Sequence, residues 1–153
     1  MAQEIREHEQ ARAHYQQALE IFIELNDRYS QASTYHQLGR VAEDLREYEQ
    51  ARTHYQQALE IFIEFNDRYS QARIYRQFGL LAEAQQDYAQ AQQHLQQALT
   101  ILSEFNDQDR IALILQNLAL LYQTTQDDTL LAAVAQCLGT TPAQVQERFA
   151  ASG

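Results

Sequence analysis

Residues 9–32 read EQARAHYQQALEIFIELNDRYSQA, and residues 49–72 repeat them almost letter for letter as EQARTHYQQALEIFIEFNDRYSQA. Laid on residues 49–88, the block 9–48 keeps 28 of 40 positions, and 49–88 in turn shares 18 positions with 89–128. A fixed period of this length constrains the fold more than any other feature. Each unit is one supersecondary element that buries its apolar face only by stacking on its neighbours. The 153 residues would otherwise suggest one compact domain, and the repeat replaces that expectation with a solenoid.

Within a unit, Tyr48, Ala51, Tyr55, Ala58, Phe62 and Phe65 recur three and four residues apart, with Leu59 beside them. This spacing predicts a helix of about 18 residues, roughly 27 Å long at 1.5 Å per residue. Glu49, Arg52, Gln56, Gln57, Glu60 and Glu64 form its solvated face. The helix is expected to stop near Asn66, since asparagine tolerates a helix-ending backbone and Asp67 can accept the free N–H groups of the next helix. That next helix carries Ala72, Tyr75, Phe78, Gly79 and Ala82 on one side. A helical glycine costs about 1 kcal/mol against alanine, so Gly39 and Gly79 imply a close approach by a neighbouring helix.

Tyr35, Leu38, Gly39, Ala42, Tyr48, Ala51, Tyr55 and Ala58, and again Tyr75, Phe78, Gly79, Ala82, Tyr88, Ala91, Leu95 and Ala98, follow the order and spacing of the tetratricopeptide repeat signature. The chain resembles that family, in the lengthened form found in kinesin light chain and in bacterial signalling proteins that join such arrays to catalytic domains. The family's helix-ending proline is absent; Phe65-Asn66-Asp67 stands in its place after extra helix. The resemblance implies an all-α, right-handed superhelical solenoid of antiparallel helix pairs, with about eight helices at 4–25, 28–45, 48–65, 68–85, 88–105, 108–125, 128–138 and 142–150. Three 40-residue units would occupy 1–128, beginning with an unpaired second helix, and capping helices would occupy 129–153. That unpaired start implies either excision from a longer solenoid or some other cover for the first helix. Its stripe of Ala11, Tyr15, Ala18, Leu19 and Phe22 leads us to expect weak self-association through this end.

The copies do not diverge evenly. Ten of the 12 differences between the first two units fall between residues 33 and 47, on or just after the first helix of a pair. Stacking surfaces must be kept, whereas a partner-facing surface can be individualised. Drift of a solvated surface after a recent duplication would leave the same pattern. In the family this repeat resembles, the first helix lines the concave side. By that resemblance the lining is Ser33, His36, Gln37, Arg40 and Glu43, then Arg73, Arg76, Gln77, Leu80 and Glu83, then Leu113, Gln116, Asn117, Leu120 and Gln123. It runs from basic to apolar. The expected ligand is a protein segment with acidic residues at one end and apolar residues at the other. The family's clamp for C-terminal carboxylates uses Lys and Asn; its positions here hold His36, Arg40, Gln77, Leu113 and Asn117, so only one residue type matches.

Other chemistry finds little support. The charge of −10, with every basic residue an arginine, repels nucleic acid and anionic membranes. His14, His54 and His94 form a column, but packed helices sit about 8–10 Å apart while Zn–N bonds need about 2 Å, so no metal and no cofactor is expected. No nucleophile elbow or glycine-rich loop points to an enzyme. The lone Cys137 and the lack of an apolar run near 18 residues give the expectation of a cytoplasmic protein. Near the C-terminus, Thr141-Pro142 with Gln144 forms a helix-start signature. Ala135, Gly139 and Val145 there have helix-turn-helix spacing, with Arg148 the single cation of the second helix. The leading expectation is a non-enzymatic interaction module or scaffold within a larger signalling assembly. A structural self-associating array and a DNA-linked regulator are the alternatives.

Overall fold

The computed structural model describes residues 1–152. Among them the chain forms eight helices and no strand: α1 (Ala2–Glu24), α2 (Arg28–Asp44), α3 (Tyr48–Glu64), α4 (Arg68–Ala84), α5 (Tyr88–Phe105), α6 (Gln108–Thr125), α7 (Asp128–Leu138) and α8 (Pro142–Ser152). The expected boundaries hold to within two residues.

One joint is used six times. Asn26, Arg46, Asn66, Gln86, Asn106 and Gln126, twenty residues apart, all adopt a left-handed backbone with φ between 53° and 61°. Each precedes an acidic residue, Asp27, Glu47, Asp67, Asp87, Asp107 or Asp127. The N–H groups of Asp27, Glu47, Asp67 and Asp87 reach back to the carbonyls of Phe22, Ala42, Phe62 and Ala82 at 2.8–2.9 Å, which ties off the orphan carbonyls of the preceding helix. The carboxylate then caps the following helix: Asp27 accepts from Ser30 N at 3.1 Å, Asp67 from Ser70 N at 3.0 Å and Asp107 from Arg110 N at 3.1 Å. Glu47 makes no such cap and pairs instead with Arg12 of α1. The stop at Asn66 follows the sequence reading. Arg46, Gln86 and Gln126 do not, because their residue types carry no turn signal; they are held left-handed by the closure around them.

The chain divides into two compact units, Met1–Ile74 and Tyr75–Gly153. In the first, α2 packs against both α1 and α3. Ala51, Tyr55, Ala58 and Phe62 of α3 are buried as the stripe predicts, while Phe65 at the helix end is half exposed. Ile61, outside the predicted stripe, is buried as well. The close approach expected at Gly39 is present: a Cβ added there would stand 2.5 Å from Tyr55 Cε1. The Tyr55 hydroxyl donates to Glu43 at 2.8 Å, and burial together with that carboxylate pushes the phenol far above its usual range. Tyr29 lies edge-on to Phe62 and Phe65, with centroids 5.7 and 5.5 Å apart.

The second unit repeats the scheme with different residues. A Cβ on Gly79 would stand 2.7 Å from Leu95 Cγ, so leucine takes the place of the tyrosine. α5 packs on α6 and α7, and α8 closes against α6 and α7. Val145 and Phe149 of α8 are buried, with the Phe149 ring 6.2 Å from Tyr122. The helix start read at Thr141 is a reciprocal box: Gln144 N donates to Thr141 Oγ1 at 3.2 Å, and Thr141 N donates to the Gln144 side chain at 3.3 Å.

Candidate protein-binding surface

In the first unit the basic part of the expected lining comes from α2 and the opening turns of α4. Arg40 and Arg73 are exposed, and Gln37 is half buried. His36 is not a lining residue as expected but is 4% exposed, with its ring 6.0 Å from that of Tyr55. Leu38 and Val41 belong to the same buried face of α2, and His36 sits between this face and the open one. Its Nε2 is buried without a partner. Burial, followed by the charges of Arg73 and Arg40, holds the imidazole down at about 4. The imidazole is therefore neutral at neutral pH, and the charges of Arg73 and Arg40 act on it. Glu43, also read as lining, is engaged by Tyr55.

In the second unit Arg76 of α4 donates through Nε to Asn117 Oδ1 of α6 at 3.0 Å. Leu113 and Leu120 of α6 are 36% and 56% exposed and flank Asn117 on one helix face, since residues four and seven apart share a face. Leu80 and Gln77 are half buried, and Gln116 is exposed. The geometry gives a guanidinium oriented by Asn117 between two solvent-facing leucines, a combination that can hold a carboxylate and cover apolar side chains.

The histidine column serves packing. His54 stacks on Tyr35 and His94 on Tyr75, with centroids 6.2 and 6.3 Å apart, while His14 is exposed. No cluster that could hold a metal occurs among the described residues, and none of their helices is long and apolar enough to cross a membrane. An open cleft between the start of α1 and the end of α2 is lined by Met1, Glu4, Ile5, His8 and Asp44, and His8 Nε2 lies 3.2 Å from Asp44 there.

Helix pairs written every forty residues, with a glycine where one helix presses on the next, define a helical-repeat protein. The chain belongs to the tetratricopeptide repeat family, whose sequence model matches residues 1–64 and 70–139. Its fold is also that of the crystal structure of BtubC (BKLC) from P. vanneervenii, with a TM-score of 0.76 at 23% identity. The match covers 95% of this chain and 57% of that one, so this chain spans little more than half of that protein's length. No curated protein matches. Tetratricopeptide repeats are protein-interaction and scaffold modules, generally non-catalytic.

Proposed function

We propose that the chain is a non-enzymatic scaffold module of a larger assembly that holds a partner polypeptide against the individualised first helices. The observation that carries this reading is the face of α6, where Leu113 and Leu120 stay exposed on either side of the Asn117 that orients Arg76. The matching ligand is a helical or extended segment with apolar side chains for the leucines and a carboxylate for Arg76. Arg40 and Arg73 give the first unit a basic face for acidic residues. Selection from a displayed peptide library tests the reading. Peptides enriched on the chain should combine apolar and acidic residues and lose at least tenfold in affinity on the Leu120→Arg and Arg76→Ala variants. Enriched peptides that bind both variants as well as the parent chain, but are lost on Gln56→Arg with Glu60→Arg, would assign binding to the second-helix face instead.

A further inference from the structure

A carboxylate recurs between the two units while its partner does not. In the first, Glu43 of α2 accepts from the Tyr55 hydroxyl at 2.8 Å. Forty residues on, Glu83 and Leu95 hold the same places. Leu95 fills the space over Gly79 as the Tyr55 ring fills that over Gly39, but its alkyl side chain offers no proton. Among the described residues no hydrogen bond or ion pair reaches Glu83. It is half buried, and this burial raises its carboxyl above the ordinary value. A carboxylate drawn partly out of water without a partner costs stability, so the fold itself gives Glu83 no role.

Its position supplies one. Arg76, Leu80 and Glu83 are four and seven residues apart and share one face of α4, with Arg76 oriented by Asn117 of α6. Seven residues of helix span about 10 Å, so this face runs from a guanidinium past an apolar side chain to a carboxylate. No Arg or Lys occurs between Arg76 and Arg110, and α5 therefore brings no such cation to Glu83.

We propose that Glu83 is a cation subsite of this surface, taking an Arg or Lys side chain of the bound polypeptide and, together with Arg76, fixing the direction in which that segment lies. The inference rests on the reading of the Arg76 surface given above and adds a second charge to its ligand. A matching segment carries a carboxylate and a cation about 10 Å apart, seven residues in a helix or three in an extended strand, with apolar side chains between. Laid in reverse, it would bring its cation to Arg76 and its carboxylate to Glu83, and both ends would repel.

A random displayed peptide library is the probe, selected in parallel on the whole chain and on Glu83→Gln, which keeps the shape of the side chain and removes its charge. Peptides enriched on the parent chain should carry Arg or Lys at one of these spacings from an acidic residue. Those enriched on Glu83→Gln should keep the acid and lose the base. A peptide selected on the parent chain should bind the variant about tenfold more weakly. Replacing its base by alanine should cost as much on the parent chain and nothing further on the variant. The melting temperature of Glu83→Gln should not fall; a clear drop would mark a structural carboxylate and overturn the inference. So would parent-chain peptides without a base, or a base whose removal costs the same on both chains. Peptides that need Glu83 but bind Arg76→Ala as well as the parent chain would overturn the reading of the Arg76 surface and leave the cation subsite standing, and a library that yields no binder overturns both.

Discussion

The ring of Tyr55 covers Gly39 so closely that an added Cβ would stand 2.5 Å from Cε1 and 2.6 Å from Cδ1. The ring is fully buried, and Glu43 holds its hydroxyl, so it cannot swing aside. Alanine ordinarily stabilises a helix by about 1 kcal/mol over glycine. At residue 39 overpacking should reverse the sign, and we expect Gly39→Ala to cost about 1–3 kcal/mol. Urea unfolding measures it. Paired with Tyr55→Leu, the same change should cost less than it does alone.

His36 should make the chain sensitive to mild acid. In the folded state its pKa is down at about 4 against an ordinary 6.5, so the unfolded chain takes up the proton first as pH falls. The contribution is complete above pH 6.5 and is lost as pH drops from there to about 4, amounting to ~3 kcal/mol on an order-of-magnitude basis. His36→Phe should flatten the dependence of unfolding free energy on pH in this window; an unchanged slope would contradict the assignment. Arg73→Ala should raise the imidazole pKa, as NMR titration would report.

The repeated joint makes a prediction about residue type. Arg46 and Gln86 hold φ of 61°, a conformation that burdens any side chain except the short polar ones. Arg46→Gly and Gln86→Gly should each stabilise by about 0.5–1 kcal/mol, because relief of strain exceeds the entropy that glycine loses. Asn66→Gly should change little. Thermal melting of the three variants against the parent chain distinguishes them.

Asp67 has more to lose than a simple cap. Burial raises its carboxyl, but hydrogen bonds from Tyr29 and Ser70 outweigh this and leave it below the usual range. Its contribution is present above about pH 4 and disappears as pH falls through the depressed folded value. Asp67→Ala should cost about 1–2 kcal/mol at neutral pH, and Asp67→Asn less, since the amide oxygen still accepts from Ser70 N.

Binding at the Arg76 surface should respond to salt. Truncating Arg76 removes a charged hydrogen-bond donor worth about 1–3 kcal/mol together with its screened attraction for a carboxylate. Arg76→Ala should therefore weaken a selected acidic peptide and shallow its salt dependence, while Leu120→Ala weakens it with the salt slope intact. Equal slopes in both variants would contradict the assigned roles.

The helices, their joints and the family were legible because each is encoded locally. Apolar spacing of three and four marks the stripes, Asn-Asp marks three of the six turns, and a glycine kept at residues 39 and 79 announces a close crossing before any partner is known. Gln144 three residues after Thr141 likewise signals its cap. What the sequence by itself determined is thus the set of elements and the rhythm on which they repeat. Tertiary structure decided which side chains meet water. His36 and Arg40 lie one turn apart on α2, yet one is buried and the other exposed, because the Tyr55 ring comes to the first. Ile21 and Ile61 stand in nearly identical words of sequence and differ from 53% to 2% in exposure. Periodicity orients a residue along a stripe, but burial requires the atoms of a neighbour, and whether that neighbour is present is not written in the helix itself.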